Sequence, residues 1–210
     1  MRRTFETLLA ALFIVVPTSE GMAQGWAYPS FQPPRTVSRE YNFGVADAGG
    51  AGTSLVFQWR EDAGKGNQLS LDVGLADPDD PRHDLVLFFG GQFAHQLALS
   101  DADTPLDFLF TVGAYVATTY TLFRLPVGVS LGHRFPLNGP TAITPYVHPR
   151  VSIDICSQCG DNIDLNFDLG LNLDLTRTLA IRASAMVAGS NRFGDDGFGI
   201  SLAWKPLGLR

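Results

Sequence analysis

The sequence predicts a closed antiparallel β-barrel, and three observations lead to this fold class. The stretch from Ile163 to Leu175 places large apolar side chains at every odd position, with only Asp, Asn or Gly between them. The same period of two recurs along most of the chain, and clusters rich in Gly, Pro, Asn and Asp separate the repeats. Successive side chains on a strand point to opposite faces, so each segment must meet an apolar medium on one face and polar groups on the other.

The two ends of the chain lack this repeat. Residues 1–23 combine an arginine pair with an apolar run and finish in small residues, which is typical of an export signal peptide. Residues 24–36 contain several prolines, so we expect an N-terminal tail that cannot join a strand ladder. The predicted barrel covers residues 37–205, and residues 206–210 form a short C-terminal tail.

Ten alternating segments can be counted within the predicted barrel, with eight as the alternative count. The break between the eighth and ninth can be as short as Thr176-Arg177, and such short links permit only antiparallel hairpins. A meander of this length would leave two long unpaired edges unless it closed on itself, which favours an up-and-down barrel. In chain order the apolar sides of the ten segments begin at Val37, Leu55, Leu69, Leu85, Phe108, Leu125, Ile143, Ile163, Leu179 and Phe198.

The residues between the apolar positions are small or polar, and almost none is Lys or Glu. A soluble lipocalin-like barrel would bury its apolar face around a ligand and present mixed Lys, Glu, Thr and Gln to water. Glycine is frequent here instead, and in a narrow lumen it leaves space for neighbouring Tyr and Arg side chains. We therefore expect a transmembrane barrel with lipid outside and polar groups inside. A soluble periplasmic barrel that binds a small apolar ligand is the alternative.

The closing segment Phe198-Gly199-Ile200-Ser201-Leu202-Ala203-Trp204 resembles the last strand of the small outer-membrane β-barrel proteins of Gram-negative bacteria. In that family an alternating last strand that ends in an aromatic residue resembles a signal for the barrel-assembly machinery, and Gly199, Leu202 and Trp204 match it. The resemblance covers residues 37 to 204. It implies location in the outer membrane, outer-membrane lipid and the assembly machinery as partners, and both termini on the periplasmic side.

Charged residues of both signs fall on the inward side of the predicted strands. A barrel of eight to ten strands is too narrow for a wide channel, so we expect these groups to pair and fill the lumen. The three aspartates of the 163–175 stretch are candidates for pairing with Arg134, Arg150 or Arg182. A narrow ion or solute path with the same residues as selectivity elements is the alternative. The set comprises Arg60, Asp72, Arg134, Arg150, Asp154, Asp164, Asp168, Asp174 and Arg182.

Cys156 and Cys159 are the only cysteines of the chain and lie in the turn after the seventh segment. In an oxidising, exported setting we expect a local disulfide between them. No His follows Cys159, and the further ligands of a zinc site are missing, so neither haem attachment nor zinc binding is indicated. We therefore expect no metal and no cofactor.

A catalytic site is not indicated either. His148 and Ser152 share one strand face, but four residues along a strand separate them by roughly 13 Å, which is too far for a nucleophile and its base. The net charge of −6 comes without a block of Lys or Arg, so no nucleic-acid surface is indicated. After residues 1–23 no apolar stretch is long enough for a transmembrane helix. We expect a monomeric barrel with a structural or minor permeability role and no enzyme activity.

Overall fold

The computed structural model describes residues 28–48, 52–78, 85–101, 104–118, 122–157, 161–188 and 196–207. The predicted export signal therefore lies outside the described residues. No helix within the described ranges is long and apolar enough to cross a membrane. In these ranges the strands are β1 (Arg39–Asp47), β2 (Thr53–Gly64), β3 (Asn67–Asp77), β4 (Val86–Ala98), β5 (Asp107–Ala117), β6 (Leu122–Gly132), β7 (Phe135–Pro136), β8 (Ala142–Cys156), β9 (Asn162–Asp174), β10 (Leu179–Ala188) and β11 (Gly197–Trp204).

The sheet closes on itself between the first and last strands. β1 pairs antiparallel with β11, from Tyr41 opposite Trp204 to Asp47 opposite Phe198. β6 pairs directly with β8, while the two residues of β7 pair only with the start of β8. Among the described residues the barrel therefore has ten strands, with β7 as a short addition. The predicted closed antiparallel barrel is confirmed, and ten strands is the right count.

Short hairpins connect the strands at the end of the barrel that holds the start of β1 and the end of β11. Lys65 and Gly66 join β2 to β3 with φ angles of 57° and 75°. Two-residue hairpin turns whose twist matches that of the strands require such positive φ angles. Between β9 and β10 the hydroxyl of Thr176 accepts hydrogen bonds from the backbone N–H of Thr178 and of Leu179. We call this end of the barrel the near end and the opposite end the far end.

The alternation of the sequence becomes two surfaces of opposite character. Outward-facing Phe43, Leu165 and Ile200 are each more than half exposed. Inward-facing Asn42 and Asp154 are fully buried. The barrel thus carries its apolar side chains outside and its charges inside, which is the reverse of a water-soluble domain.

Candidate functional site

Residues 28–36, called the inserted segment here, lie inside the barrel. The segment forms no strand ladder, since Pro29, Pro33 and Pro34 lack the backbone N–H that a ladder needs. Residues 28–34 are all buried, and Phe31 is fully so. The described part of the predicted tail, residues 28–36, therefore lies in the lumen, a position that the sequence analysis did not predict.

The deep end of the inserted segment is held by a tyrosine. Tyr28 donates a 2.8 Å hydrogen bond to Asp72 Oδ2 on β3, and its ring stacks on Phe88 at a centroid distance of 5.2 Å. Asp72 Oδ2 also accepts hydrogen bonds from Tyr115 (3.2 Å) and from Gln58 (3.0 Å). Among the described residues Asp72 makes no ion pair, so neutral donors supply its hydrogen bonds.

Phe31 fits into a gap in the barrel wall made by two glycines. A Cβ built at Gly199 would lie 2.6 Å from the Phe31 ring, and one built at Gly44 would lie 3.0 Å from it. These glycines lie on β11 and β1, so the ring packs against the seam where the barrel closes. Phe31 also has a φ of 47°, a region that bulky residues rarely adopt and that only surrounding contacts can maintain.

A buried imidazole joins the inserted segment to the wall. Ser30 Oγ lies 2.7 Å from His148 Nδ1, and Thr111 Oγ1 lies 2.9 Å from His148 Nε2. Asp168 Oδ2 approaches the same Nδ1 at 3.8 Å. His148 is fully buried, so both ring nitrogens have hydroxyl partners and no solvent contact. This arrangement suits attachment of the segment to β5 and β8.

Further contacts hold the segment towards the near end. The carbonyl oxygen of Gln32 accepts a 2.7 Å hydrogen bond from Ser130 Oγ. Arg35 donates through Nε and Nη2 to the two carboxylate oxygens of Asp107 at 2.7 and 3.0 Å, and through Nη2 to Ser100 Oγ at 3.1 Å. This two-pronged contact is the geometry in which arginine binds carboxylate best. It attaches the segment at the rim as well as in depth.

The most buried charge cluster contains one carboxylate and two guanidinium groups. Glu40 accepts from Arg60 Nη1 at 2.7 Å, and from Arg182 at 2.7 and 2.6 Å. Arg60 Nη2 also donates to the carbonyl oxygen of Phe31 at 3.0 Å. None of the three charged side chains is more than 2% exposed. The cluster links β1, β2 and β10 across the closing seam and reaches the inserted segment.

Two more clusters lie on the wall formed by β6, β8 and β9. Arg124 donates to both oxygens of Asp154 at 2.8 and 2.7 Å and approaches Asp164 at 3.5 Å. Arg150 pairs with Asp168, with Nε 2.9 Å from Oδ2 and Nη2 3.0 Å from Oδ1. Each carboxylate here has an arginine beside it, so the charges are compensated inside the lumen.

A fourth cluster lies at the near end. Asp174 forms two ion pairs, with Arg134 Nε 3.4 Å from its Oδ2 and Lys205 Nζ 2.8 Å from its Oδ1. Lys205 follows the last strand directly, and its backbone N–H donates to the carbonyl oxygen of Thr178. The residue after the barrel thus ties the C-terminal end to the β9–β10 turn.

The structure brings together some of the predicted charge partners and not others. Asp168 pairs with Arg150 and Asp174 with Arg134, whereas Asp164 and Arg182 find partners outside the predicted set. Sequence reasoning missed Glu40, Arg124 and Lys205. Glu40 and Arg124 lie at inward positions of their strands, so the period of two could have found both. The predicted set is placed in the lumen or at its rim: Arg60, Asp72, Arg134, Arg150, Asp154, Asp164, Asp168, Asp174 and Arg182.

A small polar cavity of about 30 Å³ lies between Tyr28 of the inserted segment and the barrel wall. Tyr28, Asp72, Tyr115, Arg124 and Arg150 are among its lining residues. A volume of this size holds about one water molecule.

The predicted disulfide lies at the far end. Cys156, the last residue of β8, is disulfide-bonded. Cys159 lies outside the described residues. The insertion-signal residues Gly199, Leu202 and Trp204 all belong to β11, and the Trp204 ring stacks on Tyr41 of β1 at 5.5 Å.

Comparison with known protein families and with curated proteins finds no match to the sequence. Among solved structures, LpxR from Salmonella typhimurium is similar with a TM-score of 0.52 and 10% identity, over 79% of this chain and 99% of that chain. The beta domain of the Bordetella autotransporter BrkA matches with a TM-score of 0.48 and 13% identity, over 79% and 97%.

A bacterial polysaccharide outer membrane secretin matches with a TM-score of 0.46 and 10% identity, over 73% of this chain. This chain spans 56% of the secretin chain. The three proteins are outer-membrane β-barrels. At 10% identity the likeness to LpxR shows the fold alone, which is a closed antiparallel β-barrel of the outer-membrane type.

Proposed function

We propose that this chain is an integral outer-membrane β-barrel protein with a structural role, a lumen closed at rest and no catalytic activity. The observation that carries the proposal is the sidedness of the barrel. Large apolar side chains such as Leu55 and Phe89 are more than half exposed on the outer surface, while charges such as Glu40 and Asp154 are fully buried.

Lipid is the medium that suits this exterior. The outward apolar residues form a belt on strands around the described barrel, far larger than the isolated apolar patches of soluble monomers. In water such a belt would promote aggregation, whereas in a bilayer it meets hydrocarbon. The alternative of a soluble barrel with an apolar ligand in its lumen fits poorly, because polar and charged side chains line most of the lumen wall.

The interior supports a closed resting state more than a narrow solute pore. The inserted segment runs from Asp107 at the near rim to the apolar cluster around Phe88, and arginine–carboxylate pairs lie along the wall beside it. The cavity of about 30 Å³ leaves room for about one water molecule beside Tyr28.

The absence of catalysis is proposed from the position of His148, whose cluster resembles a reactive site more than any other described histidine does. Ser30 and Asp168 both approach Nδ1 of His148, and Thr111 occupies Nε2. A hydrolytic site needs space beside its nucleophile for a substrate carbonyl. His148 is fully buried, and the cavity of about 30 Å³ beside Ser30 has room for about one water molecule, which is too little for a substrate.

We further propose a monomer that is inserted by the barrel-assembly machinery, with outer-membrane lipid as its surroundings. Closure of β1 on β11 leaves no long unpaired edge among the described strands that would need a partner subunit.

Cell fractionation combined with gel migration tests the membrane assignment. The full chain should be recovered with outer membranes and should migrate faster before boiling than after it. Recovery wholly in the soluble periplasmic fraction would contradict the proposal. Purified protein in planar bilayers should give no sustained single-channel steps at rest, and frequent steps would refute the closed lumen.

A further inference from the structure

We propose that the inserted segment is a displaceable plug and that the barrel behind it is a latent pore that prefers small hydrated cations. The inference rests on the proposed function, since a pore requires insertion in a membrane. It adds an activity that the closed barrel does not have.

The first argument is how the segment is attached. Its contacts with the wall are mainly side-chain hydrogen bonds, such as those of Tyr28, Ser30 and Arg35, which water can replace when the segment leaves. It shares no strand ladder with the barrel, so withdrawal breaks no sheet. Phe31, with its φ of 47°, gains relief from an unfavourable backbone conformation on leaving.

The second argument is the space that withdrawal would create. The apolar cluster in the lumen receives two of its large rings, those of Tyr28 and Phe31, from the inserted segment. The wall contributes three alanines to that cluster, Ala46, Ala76 and Ala117, as well as the rings of Phe88 and Tyr115. Removal of the two rings of the segment therefore opens space that the alanines are too short to fill.

The third argument concerns the charge of the wall. Among the described residues, seven carboxylates of the barrel are buried, and the ion-pair clusters described above contain six cationic side chains of the barrel. Withdrawal of the segment also removes Arg35 from Asp107. Asp72 loses its Tyr28 donor and has no ion-pair partner among the described residues, so the opened wall has an excess of negative charge. The carboxylates are Glu40, Asp72, Asp107, Asp154, Asp164, Asp168 and Asp174, and the cations are Arg60, Arg124, Arg134, Arg150, Arg182 and Lys205.

The test uses the full chain with three anchors of the plug removed together, Tyr28→Ala, Phe31→Ala and Arg35→Ala. A matched control carries the same three residue types replaced outside the lumen: Tyr41→Ala, Phe43→Ala and Arg177→Ala. In planar bilayers the anchor variant should show sustained steps at least about tenfold more often than the control. In a KCl gradient its reversal potential should report potassium permeability above chloride permeability, and adding Asp72→Asn should lower that ratio.

Thiol labelling gives a second readout that does not depend on conductance. Ser130 lies behind Gln32 and is fully buried, so a Ser130→Cys thiol should resist a membrane-impermeant maleimide in the full chain and react in the anchor variant. Cys156 is disulfide-bonded, so the unsubstituted protein should label weakly and provides the background. The plug proposal would be overturned by an anchor variant that inserts into the membrane and shows the heat-dependent gel migration of a folded barrel, but gives no channel steps and leaves the Ser130→Cys thiol unlabelled. The closed-barrel proposal would survive that result, whereas steps in the unsubstituted chain would refute the closed barrel instead.

Discussion

Tyr28 of the inserted segment and Asp72 of β3 are 44 positions apart in the chain, yet their side chains are joined by a 2.8 Å hydrogen bond inside the barrel. This contact defines how deep the segment reaches. It also gives a buried carboxylate a donor that the wall alone does not supply.

Replacement of this tyrosine should destabilise the protein. Tyr28→Phe removes one hydrogen bond to a buried carboxylate, so we expect the free energy of unfolding to fall by about 1.5–3 kcal/mol. Tyr41→Phe is the matched control, because Tyr41 lies on the outer surface, where its ring stacks on Trp204. Urea unfolding in detergent micelles measures both. An equal loss in the two variants would show that the contact with Asp72 contributes nothing specific.

The buried Glu40 cluster should be more sensitive. Glu40→Gln leaves Arg60 and Arg182 without their shared anion, and breaking a buried pair in this way costs about 3–5 kcal/mol. Glu61→Gln is the control, since Glu61 pairs with Arg39 in a partly exposed position where an ion pair contributes about 0–1 kcal/mol. The temperature at which unboiled samples lose their fast gel migration should drop clearly for the first variant and little for the second.

The strands and their faces could be predicted because both depend on local chemistry. Apolar and polar residues alternate along the strands with a period of two. This alternation assigned Leu165 to the exterior and Asp164 to the lumen, where the structure has them. Pairing between particular charges was less predictable. Arg124 and Asp164 lie 40 positions apart, and only the register of β6, β8 and β9 brings them together.

The course of the inserted segment could not be predicted from sequence. Its prolines explain why it forms no strand, but they carry no information on where the segment goes. Its position depends on contacts such as Ser30 with His148, which are 118 residues apart. Space for Phe31 likewise comes from Gly44 and Gly199, at opposite ends of the barrel sequence. Such contacts exist only once the barrel has closed.

His148 should prove structural. His148→Ala removes the partner of both the Ser30 and the Thr111 hydroxyl groups, so the free energy of unfolding should fall by about 1–3 kcal/mol. Hydrolysis of lipid A, phospholipid or peptide substrates should stay at background in both the unsubstituted protein and the variant. His133→Ala, at the near rim, serves as the control for stability. Hydrolysis by the unsubstituted protein that disappears in His148→Ala would instead establish an enzyme.

Trp204 should act in assembly more than in the stability of the finished barrel. It ends β11 and is half exposed on the outer surface, where it stacks on Tyr41. If β11 carries the insertion signal, Trp204→Ala should lower the fraction of protein that reaches the outer membrane in its fast-migrating form. Trp59→Ala removes the same type of side chain from β2, where Trp59 is paired with Tyr41 on the side of β1 that faces away from β11. This variant should leave that fraction unchanged. Equal losses for the two tryptophans would mean that an aromatic ring at the membrane interface matters, and that the terminal signal does not.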